Sequence, residues 1–398
     1  MNKDKLADLK TNTGSKASLE FVTFLRGIAA ILVVVSHLLF VFWSGGGQVA
    51  ATWRFLETET IPRGELISEA KEILDQFHLD VGRIGVSLFF LITGFLSRAS
   101  VSRQSDPKRF FLNRMLRVFP FYVFGFSITF GVIYIYTRAK GMAFPYSALD
   151  WFTQVTLLRQ FIYLPSIDMI SWTLVADFEF WFMLAFMMSI RRTGGKAMLV
   201  SGLAVTTASL LCGLTMKRVL AAGYLTLYQI QSHVTLGAFC LSFMLIGWFL
   251  SEYFYEKIDL IQLAAGLFVA YCCFVVCAVV YSPDALGYIV SYSFSIIVFI
   301  LCMMLEKKQH AMAFFGNIIV KKVAGISFPL YIVHALNGYI LQTALYQAGV
   351  NPICNFCITI LATFILATLL YRYCEKPIHE WLTKIMQFRR NENECGER

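Results

Sequence analysis

Residues 21–43 read FVTFLRGIAAILVVVSHLLFVFW. A helix of that length rises about 1.5 Å per residue and crosses the roughly 30 Å of a bilayer's hydrocarbon. Yet the run holds Arg26 and His37. An ionisable side chain at such depth costs about 2.5 kcal/mol or more, so both are candidate functional residues. They are eleven positions apart, about three turns plus 20°, which sets them on one face roughly 16 Å apart along the axis.

The composition of the rest matches this opening. Of 398 residues, 58% are hydrophobic and 15% charged, against about 45–50% and 25% in soluble domains. Apolar runs long enough to span recur at 21–43, 82–98, 119–137, 172–190, 197–215, 234–251, 258–281, 285–305, 324–347 and 354–373. The expected fold is all-α, a polytopic transmembrane bundle of about ten spans. No shift in composition separates a soluble domain. Residues 1–20 read as a cytoplasmic N-terminal segment, 21–373 as one membrane domain and 374–398 as a basic cytoplasmic tail, with Tyr373-Cys-Glu-Lys-Pro ending the last helix. The first run has no small-residue cleavage site behind it, so it is expected to be a retained helix, not a signal peptide.

The net charge of +9 is explained by sidedness. With the N-terminus inside, 24 of the 34 Lys and Arg fall on the cytoplasmic side and 9 outside. That bias predicts N-in, C-in and explains the basic balance without nucleic acid. Seven of the ten cysteines, Cys212 to Cys302 and Cys357, lie in apolar spans and read as small hydrophobes. Cys354 and Cys357 make a lone CxxC with no second pair, too little for a metal site. Cys395 has the prenylation spacing, but Gly-Glu-Arg comes after it and the motif fails.

Between the spans, Leu66, Ile67, Ala70, Ile73, Leu74 and Phe77 recur at helical spacing, which predicts an amphipathic helix at the outer surface, a plain surface helix or a lid. Gly82, Gly85 and Gly94 share the second span and suit close helix packing or room for a ligand. In 98–118, Phe110, Phe111, Met115, Leu116 and Phe119 alternate with Arg109, Arg114 and Arg117, as in an interfacial helix. Arg114 and Arg117 share a face; they fit either a basic anchor to anionic lipid or a polyphosphate clamp. Asp177 and Glu179 are the carboxylates expected inside spans, on different faces of the fourth. His233 sits at an outer boundary and reads as solvated. Ser327, Tyr331 and His334 have i, i+4, i+7 spacing and form one polar stripe, for helix–helix hydrogen bonding or for a site.

Several of these pieces occur together in one known family. The chain resembles the membrane-bound acyltransferase 3 family in Arg26-x10-His37, in Gly85-Val-Ser-Leu-Phe-Phe-Leu-Ile-Thr-Gly-Phe and in Arg114-x-x-Arg117. The match continues in Trp172-Thr-Leu-Val-Ala-Asp177, Ser327-Phe-Pro-Leu-Tyr331-Ile-Val-His334 and Glu375-Lys-Pro377. No one piece is specific, but the ordered set across 21–377 is. The resemblance implies a ten-helix enzyme that moves acyl groups, often acetyl, from coenzyme A to sugars and related acceptors. It implies His37 as the catalytic residue and the arginine pair on the donor side. Two departures stand out: Asp177 and Glu179 are separated by Phe178 where the family has adjacent acids, and Thr93 stands where Ser is usual. The appended extracytoplasmic esterase-like domain of some relatives is not expected.

The resulting expectation is an O-acyltransferase in the bacterial inner membrane. Its donor is acyl-CoA, acetyl-CoA by preference; its acceptor is a sugar or glycan hydroxyl, free or lipid-linked. Acyl transfer from a thioester needs a base and an oxyanion partner, and imidazole titrates near pH 6.5 when unperturbed. His37 is therefore the expected base or acyl carrier, oriented by Asp177 or Glu179. Arg26, Arg114 and Arg117 are expected to hold the donor's phosphates. Trp172, Ser327, Tyr331 and His334 are expected in the substrate pocket, with no metal and no resident cofactor. The rival reading is a transporter of a glycan or lipid-linked substrate, in which Arg26, Asp177 and His334 line a pathway.

Overall fold

The computed structural model describes residues 19–44, 49, 51–56, 65–162, 164–307 and 318–382. Among these residues the regular structure is helical throughout, and nine helices are long and apolar enough to cross a membrane. They are α1 (Glu20–Ser44), α3 (Val81–Val101), α4 (Pro107–Ala139), α6 (Ser171–Ser189) and α7 (Gly195–Ala221). The rest are α8 (Leu225–Phe254), α9 (Leu260–Tyr281), α10 (Ala285–Lys307) and, at the end, α14 (Pro352–Leu382). Two shorter helices lie between spans, α2 (Glu65–Gln76) and α5 (Ala148–Val155).

The span expected at 324–347, ninth in chain order, is built from three pieces: α11 (Ile318–Gly325), α12 (Ser327–Val333) and α13 (Ala335–Gln347). They run parallel to α1. Lys321 pairs with Glu20 at 2.8 Å at one end, and Gln342 Nε2 donates to the Leu38 carbonyl at 2.8 Å near the other. The second break has a visible cause. His334 Nδ1 donates to the Tyr331 carbonyl at 2.8 Å and lies 3.2 Å from that of Leu330. The imidazole thus takes up a carbonyl that the backbone N–H four residues on would otherwise bond.

Helix α1 joins the two halves of the core. Phe21, Val22, Leu25 and Ala29 pack into one cluster with α3, α6, α8, α9 and α10, and Ala30, Val34, Leu38 and Phe42 into the other with α4, α12 and α13. Its N-terminal N–H groups are capped from far away in sequence: the Glu306 carboxylate accepts from the backbone of Glu20 and Phe21, at 3.1 and 2.7 Å. The glycines of α3 act as packing positions. A Cβ on Gly85 would meet the Ala29 carbonyl at 2.8 Å, one on Gly82 the Ser36 hydroxyl at 2.5 Å, and one on Gly94 the Met244 carbonyl of α8. Gly247 of α8 returns the contact to the Leu91 carbonyl, so α3 and α8 touch backbone to backbone. Helix α8 is accordingly buried along most of its length.

Four expectations are corrected. First, 98–118 is not a separate interfacial helix. From Pro107 it is the start of the 33-residue α4, capped by the Asp106 side chain, and Arg114 and Arg117 lie within the first three turns of a spanning helix. Second, α14 passes through Pro377 to Leu382 instead of ending at Tyr373-Cys-Glu-Lys-Pro; a π-turn over Tyr371–Glu375 precedes the proline and absorbs it. Third, Asp177 and Glu179 are not the only acids inside spans. Glu252 is buried on α8 and pairs with Arg98 at 2.6 Å. Fourth, His233 is not simply solvated: its Nε2 meets Glu179 Oε1 at 2.7 Å.

The helix expected over 65–77 forms, packs against the outer end of α1 and leaves Ile73 and Phe77 exposed. The neighbouring connection, 138–171, is tightly bonded. Asp168, buried, accepts from the Tyr122 hydroxyl at 2.7 Å and from the backbone of Ser171 at 3.1 Å. Asp150 closes a capping box with Ser147 and pairs with Arg159 at 2.6 Å. Those partners, the Ser147 backbone N–H first, hold its carboxyl down at about 2. Cys395 lies outside the described residues.

Candidate active site

A cavity of about 370 Å³ opens between α1, α3, α4, α6, α12 and α14. Its charged lining comes from four helices: Arg26 on α1, Arg114 and Arg117 on α4, Asp177 on α6 and Glu375 on α14. Thr93, Ser327 and Tyr331 add hydroxyl groups, while Phe89, Phe90 and Trp181 supply apolar wall. The three arginines expected on the donor side are therefore brought into one cavity.

They are held in different ways. Arg114 Nη2 donates to the Ser100 hydroxyl at 2.5 Å and the Leu96 carbonyl at 3.4 Å, and its guanidinium lies over the ring of Trp181, 5.6 Å from the centroid. Among charged groups it feels Arg117 first and Asp177 next. Arg26 and Arg117, in contrast, make neither a hydrogen bond nor an ion pair within 4 Å to any described residue, and Arg117 is exposed at the cavity's edge. A guanidinium carries five N–H donors in a planar fork. Two such forks, unmatched among the described residues, face one cavity.

His37 lies at the other end of the α1 axis. The π-turn Ser36–Val41 starts one residue before it, adding a residue to the turn and re-aiming the side chains beyond it. His37 Nδ1 shares a 2.7 Å hydrogen bond with the Tyr339 hydroxyl, and Tyr339 stacks on Phe42 with centroids 5.9 Å apart. The His334 ring stands edge-on to His37, centroids 5.0 Å apart. Because a carbonyl only accepts, the bonds to Leu330 and Tyr331 require the His334 proton on Nδ1. Its Nε2 is buried with no hydrogen-bond partner among the described residues. Tyr331 then links this pair to the cavity: its ring is 5.8 Å from His334, its hydroxyl is 2.8 Å from Thr173 Oγ1, and both Tyr331 and Thr173 line the cavity.

The acids expected beside His37 are elsewhere. Asp177 lines the cavity together with Thr93 and lies within the field of Arg114, with Oδ1 buried and without a hydrogen-bond partner among the described residues. Glu179 faces α8, where Gly237 makes room for it and His233 pairs with it. The 200° between residues two apart on a helix separates their faces; the π-turn and α13 bring Tyr339, not a carboxylate, to His37. Trp172 packs edge-on against Phe90, centroids 6.1 Å apart, and does not line the cavity. Ser327 and Tyr331 do line it; His334 is completely buried behind Tyr331. Sequence reasoning missed Tyr339, which looks like one more aromatic in an apolar run. It also gave no role to Glu375, although the Glu-Lys-Pro motif marked its place.

Comparison with known proteins places the chain at this point. The acyltransferase domain family matches residues 19–372, and the chain belongs to that family. The fold and the family together define an integral membrane acyltransferase. Neither the curated proteins nor the solved structures compared with the chain gave a match.

Proposed function

We propose that the protein transfers an acyl group, acetyl being the first candidate, from acyl-CoA to a hydroxyl of a sugar or glycan acceptor, free or lipid-linked. The observation that carries this reading is the pair of guanidinium groups, Arg26 and Arg117, that share a cavity with Arg114 and have no hydrogen-bonding partner among the described residues. Guanidinium forks suit phosphate oxygens, which they bind bidentately, and coenzyme A carries phosphates at one end and its thioester at the other. The charge bias puts the arginine end on the cytoplasmic side, where acyl-CoA is made, with the bacterial inner membrane as the expected site.

With the phosphates at Arg26, Arg114 and Arg117, the acyl-bearing arm runs along the α1 axis towards Tyr331 and the two histidines. The acceptor oxygen attacks the thioester carbonyl carbon, His37 takes the hydroxyl proton, and the C–S bond breaks. The thiolate then recovers a proton, leaving an ester and free coenzyme A. In this reading Tyr339 holds the His37 ring through Nδ1, and the cavity-lining hydroxyl groups of Tyr331 and Thr173 are the candidate donors to a developing oxyanion. Transfer by way of an acyl-His37 intermediate uses the same residues.

The donor half is tested by measuring free coenzyme A binding to the full chain in lipid nanodiscs. Replacing Arg26 and Arg117 together by Gln is expected to weaken binding by a factor of about 100, since each charge-assisted contact is worth about 1.5–3 kcal/mol. Unchanged binding would return Arg117 to lipid anchoring and remove the donor role of Arg26.

A further inference from the structure

We infer that Glu375 sets the selectivity of the arginine site by competing with anions for Arg26 and Arg117, so that a polyphosphate is admitted and a small inorganic anion is not. The inference rests on the donor reading above and adds a residue to which that reading gives no role.

Glu375 lines the same cavity as Arg26, Arg114 and Arg117. It feels the field of Arg117 most strongly and of Arg26 next. Yet it forms no ion pair within 4 Å with either, and its Oε2 is buried without a hydrogen-bond partner. A buried carboxylate oxygen left unmatched is costly, and a fork-to-fork pair with either arginine would have removed that cost. The acid is thus near enough to offset the positive charge and far enough to leave both guanidinium forks open.

The local backbone favours its displacement. Glu375 is the last residue of the π-turn Tyr371–Glu375, and Pro377 comes two positions later. A π-turn carries an extra residue per turn, and proline supplies no N–H to the turn before it. The segment therefore has fewer backbone bonds to hold the side chain in one place.

The charge count gives the selectivity. Arg26, Arg114 and Arg117 face Glu375 and Asp177 across one cavity that His379 also lines, a net formal charge of +1 with the histidine neutral. A small anion that nears Arg26 and Arg117 also meets the Glu375 carboxylate lining the same cavity and gains little. A coenzyme A molecule, with several phosphate charges, engages more than one guanidinium and outweighs one carboxylate.

The test uses the full-length protein in nanodiscs, free coenzyme A as ligand, and sulfate or tripolyphosphate as competitor at matched ionic strength. Glu375→Gln is close to isosteric and is expected to bind coenzyme A about fivefold or more tightly than wild type. Sulfate should become an effective competitor in the variant while remaining a poor one in wild type. Equal or weaker coenzyme A binding by the variant overturns the inference and leaves the donor site standing. Failure of the wild type to bind coenzyme A at all removes both. Wild type alone gives a second check that does not depend on the variant's folding: tripolyphosphate should displace coenzyme A at concentrations where sulfate does not. Equal displacement by the two would contradict a selecting carboxylate.

Discussion

At the scale of single residues, the site depends on which groups have partners and which do not. His37 has one, the Tyr339 hydroxyl at 2.7 Å; Arg26 and Arg117 have none within hydrogen-bond reach among the described residues. Removing the Tyr339 hydroxyl, as Tyr339→Phe, leaves the ring stacked on Phe42 but frees the His37 imidazole to rotate. The expected result is a fall in kcat of about 10–100-fold, the range seen when a residue supporting a functional histidine is lost, with the donor KM unchanged. A rise in KM with kcat preserved would mean that Tyr339 serves binding instead. The sequence announces His37 and Arg26 because an ionisable residue in an apolar run stands out. It cannot announce Tyr339, because one tyrosine among 18 carries no such contrast. It also pairs His37 with an acid, since carboxylates are the usual partners of histidine; the actual partner depends on how α13 packs.

At the scale of elements, irregular helices position the chemistry. The π-turn at Ser36–Val41, the break at His334 and the π-turn at Tyr371–Glu375 each lie at or beside a residue of the site. None has an obvious mark in sequence beyond Pro377, and each reads there as plain helix or as a helix end. The spans themselves are legible, because hydropathy sums over about 20 residues and tolerates local error. The breaks at Ile326 and His334 keep the ninth span from being a single long helix. The glycines of α3 are legible as packing positions, and their partners now give a prediction. Gly94→Leu would drive a side chain into the Met244 backbone of α8, where overpacking typically costs about 1–3 kcal/mol or more. Detergent-extracted variant protein should lose several degrees of thermal stability by a fluorescence melt. Unchanged melting would show that α3 and α8 are not in backbone contact.

At the scale of the whole molecule, α1 runs past two cores and past both chemical groups. Arg26 sits in the cavity shared with Arg114, Arg117 and Glu375; His37 sits beside His334 and Tyr339. The interrupted ninth span runs parallel to it and supplies Ser327, Tyr331 and Tyr339 from its second and third pieces and His334 from the break between them. One continuous helix and one interrupted one thus carry both the arginine cavity and the pair of imidazoles. The most direct measurement is transfer of radiolabel from [14C]acetyl-CoA to the glycan fraction of membranes carrying the full chain, with His37→Ala made at equal membrane abundance. The account predicts label on the glycan with wild type and none above background with the variant. Label that persists in the variant would contradict it.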